Sequence, residues 1–355
     1  MKYRQLGNSG LRVSELVLGT LNVGHHEDFA PLGGLGEDTV RRLVDIALDA
    51  GVNMIDTADL YSHGEAEEIV GAALKGRRDD VLVATKARFA TGDGPNDAGS
   101  SRFHLLRAVE NSLRRLGTDH VDLLYLHQWD GQTPVEETLQ ALDQLVRDGK
   151  VRYTGLSNFS GWQVTKTLAV AREHRFVPPI AQQIYYTPEA RGAEYEILPA
   201  AANAGLGTLI WSPLGQSLLT GKVRRGRPVP SDTRQGTDWP EPFVTDRERA
   251  YDVIEVLVEI AEGRGISVAQ VVLAWLLARP GIAGAVFGAR DEIQLRDDLA
   301  AVDVELTTEE TARIEQVGRP AAQYPFWHRA SLATDRPDPG EAPYLPGYEA
   351  ALLSD

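Results

Sequence analysis

The sequence predicts an α/β fold: a closed (β/α)8 barrel of the TIM type, carrying an N-terminal β-hairpin, long rim loops and extra helices. Three observations carry this expectation. Eight short apolar runs alternate with helical patterns across about 300 of the 355 residues, which is the arithmetic of eight β/α units. Those runs are apolar throughout rather than alternating, as parallel strands covered on both faces must be. An open, doubly wound sheet would carry a Gly-x-Gly-x-x-Gly turn after its first strand to hold a dinucleotide, and the glycines nowhere fall at that spacing. The barrel is expected over residues 1–318 as a single domain, with 319–355 as a C-terminal tail.

In chain order, residues 3–20 read as a hairpin turning at Gly7-Asn8-Ser9-Gly10, then a first buried strand at 16–20. A loop rich in Gly and His follows. A helix over 38–50 places Val40, Leu43, Val44, Ala47 and Leu48 at helical spacing, and Gly51 stops it. Strand two is 52–55 and a helix follows at 66–74. Strand three, 81–85, ends at Lys86, and the loop 87–101 leads to a helix ending at Leu116. Strand four, 121–126, ends at His127. For the next helix, Thr133 is the expected cap, Pro134 suits the first turn and Glu136 completes a capping box. Strand five is 151–156, strand six 180–184 and strand seven 207–211, with helices between them. Residues 212–245 are irregular. Helices at 246–262 and 268–278 precede strand eight at 282–287, and two more helices follow. The tail is rich in proline and carries Trp327, Tyr344 and Tyr348. It is expected to pack over a rim as a lid or to stay partly disordered.

Composition bounds the function. Hydrophobic residues make up 43%, enough for a sizeable core. The net charge of −15 disfavours a nucleic-acid partner, which needs a basic footprint. No apolar run approaches the roughly 18 residues of a membrane span. The polar N-terminal stretch carries no export-type segment, so a cytoplasmic location is expected. Cysteine is absent, which excludes disulfides and thiolate metal sites. There is no His-Glu-x-x-His, and His25-His26 has no carboxylate neighbour beyond Glu27, so no metal is expected. The stretch from Gly215 to Lys222 misses the phosphate-loop spacing by one residue and has Val223 where Ser or Thr is needed. Nothing in the pattern sets an oligomeric state.

In a barrel, functional side chains stand at the C-terminal ends of the strands. Strand two runs out at Asp56 with Tyr61 just beyond, strand three at Lys86 and strand four at His127. Singly, each has a bland reading: Asp56 as a helix cap, Lys86 as a lysine reaching water, His127 at the core edge, Tyr61 as rim packing. Together they form a chemical device. A phenol with its usual pKa of about 10 is a poor acid at neutral pH. A neighbouring ammonium favours the phenolate, and a carboxylate balances the ammonium. The imidazole can hydrogen-bond a substrate oxygen. Such a set protonates a carbonyl oxygen as the carbonyl is reduced, and since no side chain supplies hydride, a nicotinamide cofactor is implied.

With these residues in view, the chain resembles the aldo-keto reductase superfamily from about residue 3 to about residue 318. The resemblance rests on Asn-Met-Ile-Asp-Thr-Ala-Asp-Leu-Tyr, Val-Ala-Thr-Lys and Tyr-Leu-His-Gln-Trp-Asp around those four residues. It extends to Gly-Leu-Ser-Asn-Phe at 155–159, Ala-Gln-Gln-Ile-Tyr-Tyr at 181–186, Trp-Ser-Pro-Leu-Gly at 211–215 and Gly-Ala-Arg at 288–290. It is nearer the bacterial, channel-β-subunit-like and sugar-ketone reductase branches than the mammalian aldose reductases.

The resemblance implies Tyr61 as general acid, Lys86 and Asp56 tuning it, and His127 orienting the carbonyl. It implies Ser157, Asn158 and Gln183 on a nicotinamide carboxamide and Trp211 stacked on the ring. Ser212, Leu214, Gly215 and Lys222 fall at the phosphates, and Gly288, Arg290, Gln294 and Asp298 at the adenosine end. Two positions depart from the family: Asp298 replaces an Asn and only accepts hydrogen bonds, and Gly288 replaces a Lys. NADP (NADPH) is favoured through Arg290 and Lys222, with NAD possible, and the arginines of 224–227 would add charge if their loop folds over the cofactor.

Asn22, Trp129 and the loops 87–101 and 222–245 are expected to line the substrate pocket, with Trp129 as an aromatic wall. Gly94-Pro95-Asn96-Asp97 and Trp129-Asp130 resemble members acting on sugar or nucleotide-sugar ketones. The expected activity is NADPH-dependent reduction of a small aldehyde or ketone. The alternative is an NADP-binding subunit or redox sensor with little turnover. A third reading is alcohol oxidation, on a sugar for example.

Overall fold

The computed structural model describes residues 1–345. Two short strands, β1 (Tyr3–Gln5) and β2 (Arg12–Ser14), pair antiparallel. Eight parallel strands then close into a barrel: β3 (Leu16–Gly19), β4 (Met54–Asp56), β5 (Leu82–Ala87), β6 (Val121–Leu126), β7 (Val151–Ser157), β8 (Ala181–Tyr185), β9 (Gly207–Trp211) and β10 (Ile282–Phe287), with β10 pairing back onto β3. Helices α1 (Glu37–Asp49), α2 (Glu65–Ala73), α3 (Arg102–Leu116), α4 (Val135–Arg147), α5 (Gly161–His174) and α6 (Ile197–Ala204) fill the successive connections. The crossover from β9 to β10 carries two helices, α7 (Arg247–Arg264) and α8 (Val268–Leu277), and α9 (Glu292–Leu299), α10 (Thr308–Gly318) and α11 (Phe326–Leu332) follow β10. Each predicted strand is present, with boundaries within two residues.

The hairpin closes the N-terminal end of the barrel. Asn8 N–H donates to Gly205 O at 2.8 Å and Arg4 Nη1 to Ile282 O at 2.8 Å, both beside strand starts. Leu6 and Val13 pack on Met54, Leu123, Tyr125 and Leu209 in the barrel interior. Gly7, at φ +62°, passes so close to the backbone of Gly205 and Ile180 that any Cβ would lie within 2.6 Å of it. A second apolar layer fills the space between strands and helices, and includes Ile55, Val83, Leu124 and Leu126. Alternate residues therefore face opposite ways along each strand. Tyr125 faces inward, and its ring occupies the space that a side chain on Gly155 of β7 would need, 2.5 Å from the ideal Cβ position.

Two expectations at the periphery change. The hydroxyl of Thr133 does not cap α4; it donates to Asp130 Oδ2 at 2.6 Å, because Asp130 organises the whole preceding turn through Gln132 and Ser100 N–H as well. The tail does not form a lid over residues 319–345. Phe326, Ala330 and Tyr344 bury against Leu198, Ile314 and Trp275, and Tyr344 donates to Pro280 O at 3.2 Å, just ahead of β10. An apolar flank beside α6 and α8 holds this segment away from the C-terminal mouth. Tyr348 lies outside the described residues. Among the described residues no helix is long and apolar enough to cross a membrane.

Candidate active site

The pairing of alternate strand residues sets the direction of the key side chains. Met54, Ala84, Leu123 and Tyr125 point into the barrel. Two residues after each of Met54, Ala84 and Tyr125 come Asp56, Lys86 and His127, which point inward at the C-terminal mouth by the same alternation. Tyr61 comes from the turn after β4. There the backbone of Ser62 and His63 is left-handed, at φ 45° and 52°, an arrangement that holds the turn tightly against the strand end.

Lys86 is fully buried and all three of its protons are used. Its ammonium is ion-paired directly with Asp56 Oδ1 and donates to Thr57 O at 2.9 Å and to the Tyr61 hydroxyl at 3.2 Å. Burial works against its charge, but Asp56 and Tyr61 more than offset it, and its pKa lies above the usual lysine value. Asp56 is steadied from the far side by Gln183 Nε2, at 2.7 Å from Oδ2. Gln183, expected on a cofactor amide, is thus hydrogen-bonded to the Asp56 carboxylate while also lining the cleft.

The expected acidification of Tyr61 is reversed in this state. Burial pushes the phenol above its usual value, and Lys86 pulls it down without winning. His127 is buried and its pKa falls well below the usual histidine value, from burial first and then from Lys86 and Arg88, so the imidazole is neutral at pH 7. Its ring meets Tyr61 edge-on at 6.0 Å and Phe89 at 4.7 Å, and its Nδ1 has no hydrogen-bond partner. Asp59, on the same turn as Tyr61, is buried with neither carboxylate oxygen hydrogen-bonded. Burial and then Glu67 raise its pKa well above the usual value, which favours its neutral form and leaves Asp56 as the counter-charge of Lys86.

Above this floor runs a cleft of about 710 Å3. Asn22, Asp56, Tyr61, His127, Ser157, Asn158, Gln183, Trp211, Ser212, Leu214, Lys222, Gly288, Arg290, Gln294 and Asp298 all line it. Lys86 lies just beneath the lining, and Gly215 turns the adjoining loop at φ 58°. Asn158 donates to His127 O at 3.1 Å and accepts from Trp211 Nε1 at 2.9 Å, which locks the flat indole face at the cleft wall. Ser212, Gln216 and Ser217 also hold left-handed backbone, uncommon for residues with side chains and frequent where a loop is shaped around a ligand. Asn22 donates to Ala289 O at 2.8 Å, so it braces the β10 end rather than offering its amide to substrate.

One end of the cleft is cationic. Lys222 pairs with Asp232 at 3.2 Å, and Arg290 donates to the backbone carbonyl of the same residue at 2.8 Å. Arg234 is half-buried beside them, donates to Gln216 Oε1 and makes no ion pair among the described residues. Burial and then Arg290 pull its pKa down to about 10. Lys222, Arg234 and Arg290 thus gather three cations near Asp232 at this end of the cleft, which Glu241, Asp297 and Asp298 also line. Arg234 was missed in the sequence because it lies inside a long irregular segment without periodicity. Arg224 and Arg225, expected to add charge here, instead pair outward, Arg224 with Glu255 and Arg225 with Glu248 and Asp252. Asp298 is buried, and burial followed by Asp297 raises its pKa to about 7, so near neutrality a protonated carboxyl able to donate coexists with the acceptor-only carboxylate read from the sequence.

Trp129 does not face the cleft. It packs edge-on against Phe159 at 5.3 Å and Trp162 at 5.5 Å. The aromatic wall comes from three rim loops instead, as Phe29, Phe89 and Trp239.

A buried cluster of Asp56, Lys86 and Tyr61 under a cleft, on a (β/α)8 frame, is compatible with a barrel oxidoreductase, the class that the family and its named relatives support. The chain belongs to the aldo/keto reductase family, whose sequence profile matches residues 15–319. It is 38% identical over 327 residues to a probable voltage-gated potassium channel subunit beta of Oryza sativa subsp. japonica, covering 89% of this chain and 96% of that one. It is 39% identical over 320 residues to the uncharacterized oxidoreductase YrpG of Bacillus subtilis, covering 87% and 93%. It is 34% identical over 348 residues to the versiconal hemiacetal acetate reductase of Aspergillus parasiticus, covering 92% and 99%.

Proposed function

We propose that this protein reduces an aldehyde or ketone to the alcohol with NADPH, Tyr61 serving as general acid. The observation that carries the reading is the Lys86 ammonium held between Asp56 and the Tyr61 hydroxyl at the floor of the cleft. The cleft fits the cofactor. Its cationic end, with Arg234 lacking a carboxylate, suits phosphates, and Arg290 with Lys222 favours the phosphorylated dinucleotide over NAD. Trp211, Ser157 and Asn158 would hold the nicotinamide end, and Gln294 and Asp298 the adenosine end. When bound, the cofactor supplies hydride to the carbonyl carbon.

The chain's own residues handle the oxygen. Neutral His127 can donate a hydrogen bond to the carbonyl oxygen and fix its direction. Tyr61 holds its proton at rest, as a general acid must, and gives it to that oxygen as negative charge develops there. Lys86 then stabilises the phenolate in place, with no reorganisation needed because Asp56 and Thr57 already hold it. Phe29, Phe89 and Trp239 exclude water around the reacting atoms. A small carbonyl compound is the substrate class, and a sugar or nucleotide-sugar ketone is one form of it. The compartment proposed is the cytoplasm.

Tyr61→Phe tests the reading. NADPH titration by protein fluorescence should give a Kd within about twofold of wild type, while NADPH consumption with a carbonyl panel falls by about 10²–10⁴-fold. An unchanged rate removes Tyr61 from the role. The relatives named as channel β subunits favour a second reading, a nucleotide-binding subunit with little turnover. Many turnovers per protein with any carbonyl of the panel exclude it.

A further inference from the structure

We propose that His26, Asp28 and His63 form a zinc site on the rim of the barrel, beside the mouth of the cleft. No metal motif is visible in the sequence, because the three residues come from two segments separated by α1 and β4. The fold brings them together. The six-residue 3-10 helix Glu27–Leu32 starts at His26, and His63 stands in the left-handed turn that follows Tyr61. One ligand atom from each residue lies within 4.8 Å of the other two.

Two of the three ligand-atom separations lie close to those of a tetrahedral ion, and the third is within 4.8 Å. Zinc bonds of about 2.0–2.1 Å imply ligand atoms about 3.3 Å apart. Asp28 Oδ2 lies 3.0 Å from His63 Nε2 and 3.5 Å from His26 Nδ1. The His26 Nδ1 atom accepts a long hydrogen bond from Asp28 N–H at 3.3 Å, so in that arrangement it is unprotonated, and a zinc ion would take the same lone pair in place of that contact. The imidazoles are 4.0 Å apart between ring centroids. Two imidazoles with one carboxylate are a borderline-soft donor set, which selects zinc over magnesium or calcium. Asp28 and His63 are exposed, which leaves a fourth position to water. His25 is excluded from the set, since it pairs with Glu65 at 3.2 Å and the Glu65 carboxylate also accepts from its backbone N–H.

The placement matters because it joins two parts of the mouth. Phe29, one residue after Asp28, lines the cleft, and its ring meets His63 edge-on at 6.0 Å and Trp239 at 6.3 Å. An ion here would pin the rim segment bearing Phe29 to the turn that carries Tyr61. This consequence rests on the cleft being the active site; the metal site itself does not.

The test uses the full chain with any affinity tag removed and stripped with chelator. Isothermal titration with zinc chloride should show one bound equivalent and a rise in Tm. His26→Gln, His63→Gln and Asp28→Asn should each weaken binding at least tenfold, while His25→Gln binds as wild type. Cobalt(II) should give the intense visible absorption of a four-coordinate site in wild type and lose it in His63→Gln. Failure of wild type to bind zinc at up to millimolar concentration overturns the proposal, as does unchanged affinity in the His26 and His63 variants. Equal competition by magnesium also overturns it. Binding that meets these criteria while carbonyl turnover is absent would support the metal site and count only against the reductase reading.

Discussion

Asp298→Asn should change how the stability of this protein depends on pH, by an amount that follows from the structure. Asp298 is buried at the cleft wall, and its pKa in the folded chain is raised to about 7 against an ordinary value of 3.8. Below pH 3.8 the carboxyl is protonated whether the chain is folded or not. Between 3.8 and 7 the folded state binds the extra proton, so stability falls as pH rises through that window. Above 7 both states are ionised and the penalty is constant. At about 1.36 kcal/mol per pKa unit, the interval from pH 5.5 to the folded pKa costs wild type about 2 kcal/mol. The amide does not titrate and escapes that cost, and ionisable groups that do not interact with Asp298, which excludes Asp297, cancel in the difference. An unfolding entropy of about 2.1 cal/mol/K per residue over 355 residues turns this into about 3 °C. The assay is thermal unfolding of the cofactor-free protein, wild type and variant, at pH 5.5 and pH 8.0. Both lie above the isoelectric point of about 5.0, where solubility is lowest. The variant should gain about 3 °C on wild type between the two buffers. A gap that stays the same within about 1 °C would show that Asp298 is ionised in the folded protein at pH 5.5, and the burial argument would fail.

Two further substitutions probe the cleft and its floor. Arg234→Met removes the guanidinium that has no ion partner. Charge-assisted hydrogen bonds contribute about 1.5–3 kcal/mol, so the Kd for NADPH should rise by roughly 10–100-fold and depend less on salt; a Kd within twofold of wild type refutes the cationic end as a phosphate grip. Lys86→Met leaves Asp56 buried without its counter-charge and should cost about 3–5 kcal/mol in denaturant unfolding. Adding Asp56→Asn to it should restore much of that stability without restoring turnover, and recovered turnover would sink the role given to the ammonium.

What could be read from the sequence was what short-range periodicity encodes. Parallel strands buried on both faces show as apolar runs, and helices between them show the 3.6-residue stripe, so the barrel and its strand ends were visible. Side chains alternate along a strand, so the sequence alone places Asp56, Lys86 and His127 at one rim. The path of an irregular segment is not encoded that way. Arg234 and Arg224 lie ten residues apart in the same stretch with nothing local to tell them apart, yet the first faces the cleft and the second pairs with α7. Trp129 follows His127 by two residues, but the strand has ended, alternation no longer applies, and neighbouring aromatic rings draw the indole elsewhere. Thr133 fits the capping pattern and loses its hydroxyl to Asp130, a competition between local hydrogen bonds that composition alone does not rank.

The most instructive difference concerns the phenol. From residue types alone, an ammonium beside a tyrosine should make it more acidic. In the folded chain burial outweighs that attraction, and Asp56, which keeps Lys86 charged, also opposes a phenolate. The two requirements that the proposed general-acid role places on Tyr61 would be met at different moments. At rest it must keep its proton, and a dry floor ensures that. In the proposed reduction the negative charge developing on the substrate oxygen would pass to the phenol, where the Lys86 ammonium already sits at 3.2 Å. Coulomb attraction is strongest where water is scarce, so the burial that raises the resting pKa also strengthens the stabilisation of the anion when it forms. A tyrosine lowered to titrate near neutrality would spend much of its time as phenolate, with no proton to give.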